Sequence, residues 1–139
     1  MIIAVDFDGT IVEHRYPYLG KEIPFAIKSL KLIQEQGHQL ILWTYRAGKE
    51  LDEAVEFCRE NGLEFYAVNK NYPEEIYDES ISRKINADIY VDDRNLGGLP
   101  NWRNIYFQIV GETYDDYPSF KQKNRKGLNK FLRKYFSKK

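Results

Sequence analysis

Short apolar runs recur along this chain, each ending abruptly in a polar residue and each separated from the next by a stretch of different periodicity. Ile2–Val5 stops at Asp6, Gln39–Trp43 at Thr44, and Asp88–Val91 at Asp92. Runs of four or five apolar residues without alternation are the signature of strands covered on both faces. The intervening stretches carry apolar residues at helical spacing: 23, 26, 27, 30 and 33 in Ile23–Gln36, then Leu51, Ala54, Val55 and Cys58 in Glu50–Glu60. Pro24 stands at a first-turn position, and Gly37 and Asn61-Gly62 act as stops. Strands alternating with helices predict βαβ units with right-handed crossovers and a mainly parallel sheet. The further expected elements are strand three at Glu64–Val68, a short helix at Glu74–Lys84, strand five at Asn104–Ile109 and a closing amphipathic helix at Gly127–Phe136. The expected fold is therefore α/β, a three-layer Rossmann-like domain around a central five-stranded sheet, with all 139 residues in one domain.

If the strands are parallel, their carboxyl ends meet along one edge, where ligands of open α/β sheets bind. That edge would gather Asp6 and Asp8 from strand one, Thr44 and Arg46 from strand two, and Asp92 and Asp93 from strand four, with Lys84 a few residues before it. Several carboxylates at one buried edge are costly unless a cation neutralises them. Hard oxygen donors beside a hydroxyl, an ammonium and the backbone N–H groups of the Asp6-Phe7-Asp8-Gly9-Thr10 turn suit Mg²⁺ with a phosphate. Arg46 is either a contact to the substrate or a surface residue paired with Glu50. His14 and Arg15 lie in the segment after strand one, where a substrate contact or a solvated loop would each account for them.

The order of these motifs resembles the haloacid dehalogenase superfamily of phosphatases and phosphotransferases. Asp6-Phe-Asp-Gly-Thr10 is similar to its first motif, Leu40-Ile-Leu-Trp-Thr44 to its second, Lys84 stands where its third places a lysine, and Val91-Asp-Asp93 is similar to its fourth. The resemblance implies a Mg²⁺-dependent phosphatase acting on a phosphate monoester. Asp6 would be the nucleophile that forms an aspartyl-phosphate, and Asp8 the general acid and then base. Gly9, Thr10, Thr44, Arg46 and Lys84 would bind phosphate or substrate, and Asp6, Asp8 (through its carbonyl), Asp92 and, in second rank, Asp93 would hold the metal. The interval Ile11–Glu22 and the one before Lys84 are too short for the cap domains common in that superfamily. The site should then be open, under a small flap around Tyr16-Pro-Tyr18, and suited to a large phosphorylated partner or to closure by a second subunit of a homo-oligomer, with small phosphorylated substrates also admitted. The alternatives are a phosphoacceptor signalling domain of receiver type and a non-catalytic binding module on the same fold.

Charge and composition set the surroundings. Residues 1–119 hold 12 Lys+Arg against 21 Asp+Glu, whereas residues 120–139 hold nine basic residues and no acid. This basic stretch could contact nucleic-acid phosphates, but the stripe Leu128, Phe131, Leu132 and Tyr135 favours a helix docked on the core with a solvated basic face. The single Cys58 excludes an internal disulfide and reads as a small buried hydrophobe. No apolar stretch reaches the roughly 20 residues of a membrane span. A strand at the start leaves no room for a secretory leader, so a cytoplasmic home is expected.

Overall fold

The computed structural model describes residues 1–111. It contains β1 (Ile2–Val5), α1 (Ala26–Glu35), β2 (Gln39–Leu42), α2 (Gly48–Glu60), β3 (Ala67–Val68), β4 (Ile89–Val91) and α3 (Trp102–Val110). The expected helix at 127–136 lies outside the described residues. No helix among those described is long and apolar enough to cross a membrane.

The four strands form one parallel sheet in the order β3-β2-β1-β4. β1 is central, with Val5 opposite Leu42 on one side and opposite Val91 on the other. Strand pleating sends alternate residues to opposite faces. Ile3, Val5, Leu40, Leu42 and Val91 join the main core with Leu30 and Ile33 of α1, Ala54 and Cys58 of α2, and Trp102, Ile105 and Tyr106 of α3. Ala4, Ile41 and Ala67 face the other way and form a smaller cluster with Ile85, flanked by Ala87 and Tyr90. Cys58 is fully buried, and burial pushes its thiol up to about 12, as a structural cysteine requires.

The α/β class and the parallel sheet agree with the sequence pattern, and three expectations are corrected. The described sheet has four strands, not five, and all three described helices pack into the main core, so a second helical layer is not present among these residues. Asn104–Ile109 is helical within α3, despite its aromatic and β-branched content. The Asn101 side chain accepts the Asn104 N–H at 3.0 Å, Gly111 ends the helix at φ 76°, and Trp102, Ile105 and Tyr106 share one buried face. Capping and a 3.6-residue period override β propensity here.

The third correction concerns Glu74–Lys84, which is a run of turns. Glu75 turns back to accept from the Asn71 backbone and side chain at 2.7 and 2.8 Å, and Asp78 accepts the Ser80 N–H at 2.7 Å. Such local side-chain bonds compete with the helical ladder. Ile76 and Tyr77 are 85% and 55% exposed, so a helix here would have no apolar face to bury. Strand three also shrinks to Ala67–Val68, and α1 begins at Ala26, after Pro24 and a left-handed Phe25.

Candidate metal and phosphate site

The site follows from the register. Because Val5 pairs with both Leu42 and Val91, the residues just beyond these strands emerge side by side. The Asp6 N–H donates to the Val91 carbonyl at 2.9 Å and the Trp43 N–H to the Val5 carbonyl at 2.9 Å, so the alignment continues past the strand ends.

Asp6, Asp92 and Asp93 each place a carboxylate oxygen within 4.8 Å of the others. Asp93 Oδ1 is buried and has no hydrogen-bond partner. Burial pushes the Asp6 carboxyl up to about 7, and repulsion from Asp92 and Asp93 adds to the shift; the Phe7 N–H and the Thr10 hydroxyl oppose it. Three close carboxylates, one with an oxygen that nothing satisfies, form a hard-oxygen donor set of the kind that Mg²⁺ fits. Asp93 stands in this group beside Asp92.

Thr10 is the strut of the triad. Its hydroxyl donates to Asp6 Oδ2 at 3.2 Å and accepts the Asp93 N–H at 3.0 Å, while its carbonyl accepts the Trp102 indole N–H at 2.8 Å. Fully buried, it ties β1 to the β4 end and to α3, and its hydroxyl is not free for a substrate. Gly9 has φ +82°, and a Cβ there would stand 2.2 Å from Asp93 Oδ2, so only glycine lets the triad close. The Gly9 and Thr10 N–H groups donate to the Val12 and Phe7 carbonyls at 2.7 and 3.2 Å, which corrects the expectation that they cradle phosphate.

Asp8 takes no part in the carboxylate triad. Its two oxygens accept from Arg46 Nε at 2.6 Å and from an Arg46 terminal nitrogen at 2.8 Å. The same guanidinium donates to the carbonyls of Pro17 at 3.1 Å, Tyr18 at 2.8 Å and Glu50 at 3.3 Å. It lies 5.1 Å from the Phe7 ring centroid and 5.4 Å from that of Tyr16. Arg46 is therefore not a surface partner of the Glu50 carboxylate: its guanidinium is committed to Asp8 and to three backbone carbonyls. Its side chain is completely buried, and it pins the flap to Asp8 and to α2. The flap spans 13–21, closed at its neck by the Glu13 N–H to the Lys21 carbonyl at 2.8 Å and by Gly20, where a Cβ would meet the Glu13 carbonyl at 1.9 Å.

A cavity of about 600 Å³ opens above Asp6, Asp8, Thr44 and Asp92. Its remaining lining comes from His14 and Tyr16 of the flap, Trp43 and Tyr45 beside Thr44, and Arg94. Thr44 is fixed by Asn69, whose side-chain oxygen accepts the Thr44 N–H at 2.8 Å and whose amide donates to the Arg46 carbonyl at 3.3 Å. The Thr44 hydroxyl accepts the Arg46 N–H at 3.2 Å and keeps its own proton to donate.

Lys84 is not among the lining residues. It is exposed, with Nζ 5.0 Å from the ring centroid of Tyr90, whose side chain packs with the smaller cluster. Among the described residues the cation that lines the cavity is Arg94, which directly follows Asp92-Asp93 in the sequence. Trp43 and Tyr45 are two further lining residues that the sequence pattern does not single out. Their position on either side of Thr44 was the available signal. Asn69 carried none, since its role depends on a positive φ of 52°.

No family model matches the chain, and neither does any curated protein. The chain is similar to a solved structure of a conserved protein from Bacteroides thetaiotaomicron, at 59% identity over 86% of this chain and 98% of that one, with a TM-score of 0.76. At that identity and coverage the two chains belong to one family.

Proposed function

We propose that this protein is a Mg²⁺-dependent phosphatase that hydrolyses a phosphate monoester through an aspartyl-phosphate on Asp6, the activity implied by its resemblance to the haloacid dehalogenase superfamily. The observation that carries the proposal is the Asp6–Asp92–Asp93 triad with its unsatisfied Asp93 oxygen, two of whose members, Asp6 and Asp92, line the same cavity as Thr44. Mg²⁺ held by these three residues would neutralise the carboxylates and draw charge from the phosphoryl oxygens.

In this reading an Asp6 oxygen attacks phosphorus, the bond from phosphorus to the ester oxygen breaks, and the alcohol leaves. Water then cleaves the acyl phosphate and regenerates Asp6. The Thr44 hydroxyl donates to a phosphoryl oxygen, and Arg94 screens the repulsion between an anionic nucleophile and an anionic substrate. Asp8, held by the Arg46 fork, is placed as a proton acceptor, which suits activation of the water in the second step. Supplying a proton to the leaving oxygen in the first step requires the Arg46 contact to loosen, so that step depends on the flap.

The purified protein is expected to hydrolyse p-nitrophenyl phosphate with Mg²⁺, and EDTA to abolish the activity. Asp6→Asn should lower kcat by about 10³-fold or more. Asp8→Asn, given acetyl phosphate, whose leaving group needs no proton, should accumulate a hydroxylamine-sensitive phosphoprotein. Full activity in Asp6→Asn or in EDTA would overturn the mechanism. A long-lived phosphoprotein in the unaltered chain, without turnover, would instead support a phosphoacceptor signalling domain.

A further inference from the structure

We propose that the mouth of the cavity is a stacking subsite for a nucleobase, so that the substrate class is a nucleoside monophosphate. The inference rests on the phosphatase reading for the position of the phosphate and on separate observations for the ring. Tyr16 and Tyr45 come from different segments, the flap and the β2–α2 loop, and meet edge to face with centroids 6.0 Å apart and an interplanar angle of 71°. Trp43 lines the same cavity. Tyr45 is 89% exposed and Tyr16 44%, although burying either ring against protein would have been favourable.

Tyr16 is also held in place. The buried Arg46 guanidinium lies 5.4 Å from its ring centroid and bonds the carbonyls of the two residues that follow it. A pre-positioned pair of exposed rings at a cavity mouth offers a planar partner a stacking surface at little ordering cost.

Depth separates a nucleotide from an aryl phosphate. The groups that would meet the phosphate, Asp6, Thr44 and Asp92, are half-buried at the floor, whereas Tyr45 stands in solvent. An aryl phosphate carries its ring one bond from the phosphorus and would bring it to the floor. A nucleotide interposes a pentose, which carries the ring outward to the mouth. The volume of about 600 Å³ lies within the range of small-ligand pockets and far exceeds the needs of a phosphoryl group alone.

The test compares adenosine 5′-monophosphate with ribose 5-phosphate, which has the same phosphate and pentose but no base. Calorimetric binding to the Asp6→Asn protein with Mg²⁺ reads the subsite without turnover. The nucleotide should bind about tenfold or more tightly than the sugar phosphate, and Tyr45→Ala, at an exposed position that folding does not need, should collapse that ratio toward one. Equal affinities, a ratio unchanged in Tyr45→Ala, or tighter binding of a phosphotyrosine peptide than of the nucleotide would overturn the inference. Hydrolysis of acetyl phosphate by the unaltered protein separates the two proposals. If it proceeds while the nucleotide shows no preference, the subsite fails and the phosphatase stands. If it fails while the nucleotide preference holds, the phosphatase falls and the rings stand as a nucleotide-binding subsite alone.

Discussion

Asp6 and Asp8 are two residues apart on the same turn, yet they have opposite surroundings. Asp6 is set among like charges, with Asp92 and Asp93 near enough to share one ion, and burial, reinforced by their repulsion, pushes its carboxyl up to about 7. Asp8 has its own guanidinium, fixed at 2.6 and 2.8 Å, within a network that also anchors the flap. Among the described residues no ion pair neutralises the Asp6 half of the sheet edge, whereas the Asp8 half has its own guanidinium. The first half can therefore take up a metal or a proton, while the second serves as a fixed frame. Adjacency in sequence says little about electrostatic role. What the neighbouring strand delivers decides it: carboxylates from β4 on one side, and on the other Arg46 from the loop after β2.

The largest expected effect lies on the Asp8 side. Arg46→Ala would leave a carboxylate whose side chain is only 11% exposed without its partner, and the Pro17, Tyr18 and Glu50 carbonyls without a donor. Breaking a buried pair in this way costs about 3–5 kcal/mol, read as a lower urea midpoint. If the loss comes mainly from the stranded charge, Asp8→Ala added to Arg46→Ala should recover part of it, and the double-mutant cycle measures that share. A near-neutral Arg46→Ala would show that the fork is not the frame described here.

The Asp6 side should respond to pH and metal. In the metal-free protein the Asp6 carboxyl titrates near 7, against an ordinary value of 3.8. Below about pH 4 both folded and unfolded chains are protonated there. Between about 4 and 7 only the folded chain keeps the proton, so stability falls as pH rises and levels off above about 7. After allowing for partial solvent access, the effect is on the order of 1–2 kcal/mol. His38, whose pKa is lowered by partial burial and by the N-terminal ammonium, runs the other way. The informative quantity is therefore the difference between the unaltered protein and Asp6→Asn, taken from urea midpoints in EDTA between pH 5 and 8. The unaltered chain should lose stability relative to Asp6→Asn across this window, and Mg²⁺ should restore it increasingly toward the alkaline end. Parallel curves for the two proteins would mean that neither burial nor the neighbouring carboxylates raise the Asp6 carboxyl.

The comparison also explains what could be read from the chain alone. Asp6, Thr44 and Asp92-Asp93 were legible because each ends an apolar run, and parallel register brings such ends together whatever the intervening loops do. The Asp8–Arg46 fork was not, since it links positions 38 residues apart through a loop whose path depends on Asn69 and the flap. The buried strut Thr10 looked like a phosphate ligand because a hydroxyl beside two acids is chemically ambiguous until its partners are known. Asn104–Ile109 has the β-branched and aromatic content of a strand, and the cap that makes it helical stands three residues earlier, at Asn101. In each miss a single tertiary or capping contact outweighed a local preference.

Lys84 gives the smallest expected effect and the sharpest separation between motif and geometry. By order along the chain it is the ammonium that should stabilise the phosphoryl group. In the structure it is exposed beside Tyr90, while Arg94 lines the cavity. An exposed cation on an aromatic ring contributes about 0.5–1 kcal/mol at most. Lys84→Ala should therefore change stability by less than about 1 kcal/mol and kcat/KM for p-nitrophenyl phosphate by less than about threefold. Arg94→Ala, removing the charge that lines the cavity, should reduce kcat/KM by about tenfold or more. The reverse pattern, a severe loss in Lys84→Ala with Arg94→Ala near normal, would mean that the turns at 74–84 rearrange when substrate binds and carry the lysine to the sheet edge. The site would then be completed by movement on the β4 side, and the division between a fixed Asp8 half and a cation-seeking Asp6 half would extend to mobility as well as charge.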